Sequence, residues 1–208
     1  MTDSLDQVAQ LAEKYKQWSI GAGEPGQVFG KSRFEDHPER SYTLKNSRPR
    51  KFLQYGHQTW GINLGWTEDA SSESAKREAR WFFTRNGART GPITFGETIA
   101  LANGKGGFWL HYAEREFGID LEWFGQATFA WTILGGKVGQ PAPRGQYLAV
   151  YNEKIRLFFV EFDRDISGDL GWSDSKAWLD QFGDKFVERI GEYGKAAAEK
   201  AIHAYFMA

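Results

Sequence analysis

Through the middle of this chain apolar and polar positions alternate in short runs with a period of two, and at both ends the spacing shifts to that of a helix. Phe52-Leu-Gln-Tyr, Trp109-Leu-His-Tyr and their counterpart Phe158-Phe-Val-Glu have strand character, since successive strand side chains point to opposite faces. Upstream lie Tyr42-Thr-Leu-Lys-Asn, Ile99-Ala-Leu-Ala-Asn and Tyr147-Leu-Ala-Val-Tyr, joined to those runs by Gly- or charge-rich stretches, so each pair reads as strand, turn, strand. Trp81-Phe-Phe-Thr and Phe129-Ala-Trp-Thr-Ile add short aromatic strands, and the chain breaks at Thr90-Gly-Pro and Gln140-Pro-Ala-Pro-Arg-Gly.

Near the N-terminus Leu5, Val8, Leu11, Ala12, Tyr15 and Trp18 space as one helix face, with Thr2, Asp3 or Ser4 available as a cap. Near the C-terminus Trp178, Phe182, Phe186, Ile190, Tyr193, Ala197, Ala201 and Tyr205 trace an amphipathic stripe from about Ser175. Gly183, Gly191 and Gly194 interrupt that stripe at about 1 kcal/mol each relative to Ala, which points to a bend or a close approach. The expected organisation is an N-terminal helix over 1–20, a β domain over 21–174 and a C-terminal helix over 175–208 packed on that domain.

Aligning Trp66, Trp123 and Trp172 superposes three fifteen-residue blocks without a gap: FLQYGHQTWGINLGW, WLHYAEREFGIDLEW and FFVEFDRDISGDLGW. Each opens on two large apolar residues and closes on an Asn or Asp, a Leu, a spacer and a Trp, so both ends of a unit recur. The period is 57 residues from Trp66 to Trp123 and 49 from Trp123 to Trp172, with the polar stretch Glu68 to Arg80 as an expected exposed loop or short helix in the first unit. Units of this size cannot bury an apolar face alone and must share a core.

With about four strands per unit, the chain resembles a β-trefoil, and Gly96-Glu-Thr-Ile-Ala-Leu-Ala-Asn-Gly and Phe52-Leu-Gln-Tyr-Gly are similar to fascin-like and lectin-like trefoils. The resemblance spans roughly Gly26 to Trp172. It implies a mainly β fold and a non-catalytic binding protein, carbohydrate being the ligand class of the lectin-like members, while the architecture itself hosts many activities. Two departures stand out. No closing strand follows Trp172, so the N-terminal half is expected to supply it or the barrel is incomplete. The Gln-x-Trp signature of ricin-type lectins is replaced by Leu-Gly-Trp or Leu-Glu-Trp, so no sugar-binding residue transfers directly.

Composition narrows the function classes. Twenty-six basic and twenty-seven acidic side chains leave a net charge of -1, which provides no global field for nucleic acid. The absence of cysteine excludes disulfides, thiolate zinc sites and cysteine catalysis. No secretion signal and no stretch of about 20 apolar residues is present, so synthesis in the cytoplasm is expected. The C-terminal stripe admits a membrane-active or toxin-like alternative, but its Lys and Arg are matched by Asp and Glu, unlike the cationic excess of interfacial helices.

Candidate ligand-binding positions are those that vary on the constant frame or pair a polar group with an aromatic. They are His57, Glu114 and Asp163, Gln54, His111 and Glu161, Asn63 beside Trp60, and Asp120 beside Phe117. Trp66, Trp123 and Trp172 are expected to pack rather than to serve as sugar platforms. Asp163, Asp165, Ser167, Asp169 and Asp174 have the spacing of a calcium loop around Gly168, although the same run aligns with the hairpins of the other units. Lys45 to Lys51 is a basic turn. No Gly-x-Ser-x-Gly or phosphate loop occurs; strand alternation can put Glu114 and Glu116 on one face of their hairpin as a carboxylate pair, and the enzyme alternative is a pocket between the β domain and the added helices.

Overall fold

Short runs rich in aromatic and β-branched residues, punctuated by Gly, Asn and Pro, become strands here, and the chain is mainly β. The structure, a computed structural model, describes residues 5–21, 41–57, 62–70, 77–86, 92–115, 119–162 and 169–173. Among these are one short helix, α1 (Leu5–Ala12), a 3-10 turn (Glu13–Tyr15) and twelve strands. The strands are β1 (Trp18–Ile20), β2 (Leu44–Asn46), β3 (Phe52–Gln54), β4 (Gly65–Thr67), β5 (Trp81–Arg85), β6 (Thr98–Asn103), β7 (Phe108–Tyr112), β8 (Leu121–Phe124), β9 (Trp131–Leu134), β10 (Tyr147–Asn152), β11 (Leu157–Phe162) and β12 (Asp169–Trp172). The sequence-predicted helix over 175–208 lies outside the described residues, as do residues 71–76 of the Glu68 to Arg80 stretch, in which Arg77 and Glu78 are helical. No helix among the described residues is long and apolar enough to cross a membrane.

The N-terminal helix is shorter than its stripe predicts. It stops at Ala12, and Trp18 stands in β1 rather than on the helix face. The spacing of Trp18 from Tyr15 suits a helix, but pairing with two distant strands outweighs it: Trp18 lies opposite Asn46 on β2 and opposite Leu148 on β10. β1, ahead of the first block, thus pairs as β5 and β9 do after the first and second blocks.

Every ladder is antiparallel, and the register repeats three times. Trp18, Trp81 and Trp131 pair with Asn46, Asn103 and Asn152 within their own repeats. The same three Trp pair with Leu148, Tyr42 and Ile99 of the preceding repeat, and each of these partners lies four residues before its repeat's Asn. β1, β2, β5, β6, β9 and β10 therefore form a ring of pairings that returns to its start, joined between β2 and β5 by the Tyr42–Trp81 bridge. The pairs β3–β4, β7–β8 and β11–β12 are three hairpins attached to the ring. This register shifts one alignment: the segment equivalent to Tyr42–Asn46 and Ile99–Asn103 is Leu148–Asn152, one residue later than the run beginning at Tyr147.

Each of these Trp clamps two repeats. The indole Nε1 of Trp18, Trp81 and Trp131 donates to the carbonyl of Phe159, Leu53 and Leu110 of the preceding repeat, at 2.7, 2.8 and 2.8 Å. The same rings lie 6.0 Å from, and nearly parallel to, Trp66, Trp123 and Trp172 at the ends of their own repeats. Those three Trp pack against or within the central core, which also holds Leu53, Leu110, Leu121 and Phe159. A buried aromatic whose polar edge finds a partner contributes area without an unpaired donor.

The turns between ring and hairpin repeat too. Oδ1 of Asn46, Asn103 and Asn152 accepts from the backbone N–H of Arg48, Lys105 and Lys154 at 2.9, 2.9 and 3.0 Å. Four residues after each Asn the backbone turns left-handed, at Arg50 (φ 57°), Gly107 (φ 63°) and Arg156 (φ 62°).

The outward faces of the repeats are covered differently. In the third, α1 lays Val8 and Ala12 over Leu134, Ala149, Tyr151, Phe158 and Val160. In the second, Ala127 and Phe129 of the lead-in to β9 cover Phe82, Ala100, Ala102 and Trp109. The second repeat also buries an ion pair in the β5–β6 connection. Arg85 Nε lies 2.5 Å from Glu97 Oε1 and its Nη2 3.0 Å from Oε2, while Nη2 also donates to the Pro92 carbonyl. Thr94 N–H completes the Glu97 carboxylate at 3.0 Å.

Candidate functional site

Hairpin registers decide which variable positions are equivalent. Leu53 lies opposite Trp66, Leu110 opposite Trp123 and Phe159 opposite Trp172. One step along, Gln54 faces Gly65, His111 faces Glu122 and Val160 faces Gly171. The grouping of Gln54 and His111 with Glu161 is therefore corrected: Val160 is their counterpart. Glu161, opposite Leu170, matches Tyr112, opposite Leu121, and Tyr55 holds the same place in the first block.

Two junctions between successive repeats gather the candidate residues. At the first, the Tyr55 ring lies 5.5 Å from Trp123 of the second repeat, and Asn63 Nδ2 donates to the Tyr55 hydroxyl at 3.1 Å. The turn that follows Asn103 comes so close that a Cβ on Gly106 would sit 3.0 Å from Tyr55 Cε2, so a larger residue there would press on the Tyr55 ring. Tyr55 N–H donates to the Glu78 carbonyl at 2.8 Å, and the Glu78 carboxylate lies 3.8 Å from Lys105 Nζ. His57 is exposed at the rim.

At the second junction Tyr112 takes the place of Tyr55 and meets the edge of Trp172 at 6.1 Å. Lys154 Nζ stands 5.3 Å over the Tyr112 ring and donates to its carbonyl at 3.4 Å. Asp120, the counterpart of Asn63, accepts from Arg115 N–H at 2.9 Å and so closes the hairpin end, and Arg115 Nη1 donates to the Leu121 carbonyl at 3.2 Å. Glu114 is exposed. Burial, then the charges of Asp120 and Glu114, push the Tyr112 hydroxyl above its ordinary range and keep it a protonated donor.

The third junction differs. Glu161 replaces the tyrosine and is only 2% exposed, and its N–H donates to Gln17 Oε1 at 2.9 Å. Trp60, Phe117 and Asp163 lie outside the described residues, as do Asp165, Ser167 and Asp174 of the calcium-loop spacing. The backbone of Asp169 forms a rung of the β11–β12 ladder opposite Phe162. Among the described residues no group of three or more His, Asp or Glu is placed to hold a metal ion.

Sequence reasoning therefore named Asn63 and Asp120 but missed the tyrosines beside them. The signal was present, since Tyr55 and Tyr112 occupy one position of two blocks. Comparison with protein-family models, with curated proteins and with solved structures finds no match.

Proposed function

We propose that this chain is a β-trefoil and a non-catalytic binding protein that recognises carbohydrate at the junctions between its repeats. Support for the trefoil plan comes from the closed ring of six paired strands, the three attached hairpins and the threefold recurrence of the Trp clamp. Support for a saccharide ligand rests on one observation: the Tyr55 hydroxyl meets the Asn63 amide at one junction, and Tyr112 and Asp120 hold the same two block positions at the next. A flat ring accommodates the apolar C–H face of a pyranose, and an adjacent amide or carboxylate accepts its hydroxyl protons. Shallow, wet sites of this kind bind in roughly the millimolar to micromolar range.

The test is a glycan array with the intact protein, repeated with the double variant Asn63→Ala with Asp120→Ala, which removes the polar partner at both junctions. Binding that falls at least tenfold in this variant is the expected result. No binding to any glycan at high protein concentration would remove the carbohydrate reading.

A further inference from the structure

The hairpin β7–β8 carries polar and aromatic groups that neither the ring nor the junctions use. Its inward pairs, Leu110 with Trp123 and Tyr112 with Leu121, belong to or pack on the central core. Its outward pairs are therefore Trp109 with Phe124 and His111 with Glu122. Trp109 is buried under Ala127 and Phe129, but Phe124 is 41% exposed and the Glu122 side chain 48%. The His111 imidazole stacks on the Phe124 ring at 4.9 Å with an 11° tilt, and its Nε2 lies 3.2 Å from Glu122 Oε1.

We infer that His111, Glu122 and Phe124 form a second saccharide subsite, separate from the repeat junctions, that stacks a pyranose on the free face of Phe124 and binds its hydroxyls through Glu122. The inference rests on the carbohydrate reading above but uses none of its residues. The fold does not require these side chains. The equivalent positions are Gln54, Gly65 and Thr67 in the first repeat, and Val160, Gly171 and Ser173 in the third, where the neighbouring strand face is sealed by α1. In two repeats glycine thus serves where the second has a carboxylate, and a small hydroxyl residue serves where it has a phenyl ring.

The geometry suits a sugar better than an apolar side chain. One ring face is taken by the imidazole, which holds Phe124 flat and limits the rotamer freedom that a ligand would otherwise have to remove. The Glu122 carboxylate lies 3.2 Å from His111 Nε2 beside that ring, where a vicinal pair of hydroxyls donates to its oxygens. Phe124 is 41% exposed, so its ring is open to solvent. A single phenyl ring flanked by a carboxylate is too small and too polar a patch for hydrophobic docking of a protein.

The experiment is an NMR titration of isotopically labelled full-length protein with methyl glucoside, methyl mannoside and methyl galactoside, following ring resonances of Phe124 and His111 alongside Tyr55 and Tyr112. Saturable shifts at Phe124 and His111 are expected. Phe124→Ala should abolish them, Glu122→Gln should weaken binding about tenfold, and Phe124→Tyr should preserve it. Because Phe124 and Glu122 are exposed, these variants are expected to fold, which an unchanged set of upfield methyl signals verifies. Shifts confined to Tyr55 and Tyr112 would overturn the subsite and leave the junction reading intact. Shifts confined to Phe124 and His111 would support the subsite and displace the junctions as the binding place. Absence of shifts anywhere with all three glycosides at high concentration would overturn both.

Discussion

The inner ring and the outward hairpin faces of this protein follow opposite rules. Inside, Trp18, Trp81 and Trp131 make the same stack and donate the same hydrogen bond in all three repeats. Outside, Gln54, His111 and Val160 share one position and have nothing chemical in common. A side chain that fills a closed core and satisfies a carbonyl has no close substitute, because losing either element leaves a cavity or a buried unpaired acceptor. An outward position that no other element covers has no such constraint and keeps a demanding residue only where something uses it. Sameness in the closed core therefore marks structure, and difference on the uncovered hairpin faces marks candidate positions there.

The strongest way to break this comparison is to truncate one clamp. Trp131→Ala should cost more than about 4 kcal/mol, the sum of a large cavity and the orphaned Leu110 carbonyl, and is expected to prevent stable folding. Trp131→Phe, which keeps most of the ring but not the donor, should cost about 1–3 kcal/mol. Urea unfolding of the three Trp→Phe variants should give similar losses. A Trp18→Phe protein as stable as the parent would mean that the N-terminal strand is not an equal member of the ring.

A buried group confined to one repeat tests the same rule from the other side. Among the described residues Arg85 and Glu97 form such a pair in the second repeat alone, yet they sit inside the frame rather than on its surface. Glu97→Gln should cost roughly 3–5 kcal/mol by leaving the guanidinium charge uncompensated, whereas the double variant Arg85→Met with Glu97→Met should lie close to the parent. A thermal or urea midpoint for Glu97→Gln near the parent value would show that the pair is solvated and belongs with the tolerant outer positions.

Smaller effects are expected at the left-handed turn residue. Gly107 adopts this conformation freely, whereas Arg50 in the equivalent place carries a Cβ clash worth about 1–2 kcal/mol, against roughly 0.5–1 kcal/mol of extra chain entropy for glycine. Arg50→Gly should therefore stabilise by about 0.5–1 kcal/mol, and Gly107→Ala should destabilise by about 0.5–1 kcal/mol. Opposite signs at two equivalent positions would sharpen the threefold assignment, and equal signs would break it.

Legibility from sequence followed the range of the interactions. The blocks around Trp66, Trp123 and Trp172 could be read because a hairpin fixes its own spacing, so identical intervals survive in the chain. The clamp residues Trp18, Trp81 and Trp131 were harder, because connections of unequal length separate them from their blocks while their partners lie in another repeat. Trp18 also falls at an interval from Tyr15 that suits a helix, and only its pairing with Asn46 and Leu148 decides against that. The same limit hid the junctions. Asn63 and Asp120 stood out as polar residues beside aromatics in sequence, but their relevant neighbours, Tyr55 and Tyr112, lie across the hairpin.

The smallest predicted effect separates the two junctions. Burial and the nearby Asp120 and Glu114 carboxylates raise the Tyr112 hydroxyl above the ordinary value of 10.0, so the folded state holds that proton more tightly than the unfolded chain does. The resulting stability is complete below about pH 10 and is lost as pH rises from there through the raised value, since the slope of stability with pH is negative wherever the folded state binds more protons. Tyr112→Phe should remove this alkaline loss, and Asp120→Asn should reduce it by deleting one of the two repelling charges. Urea midpoints between pH 8 and pH 11 provide the measurement. If Tyr112→Phe leaves the alkaline slope unchanged, the carboxylates do not act on that hydroxyl, and the second junction offers a neutral phenol in no more polar a setting than the Tyr55 hydroxyl beside the Asn63 amide.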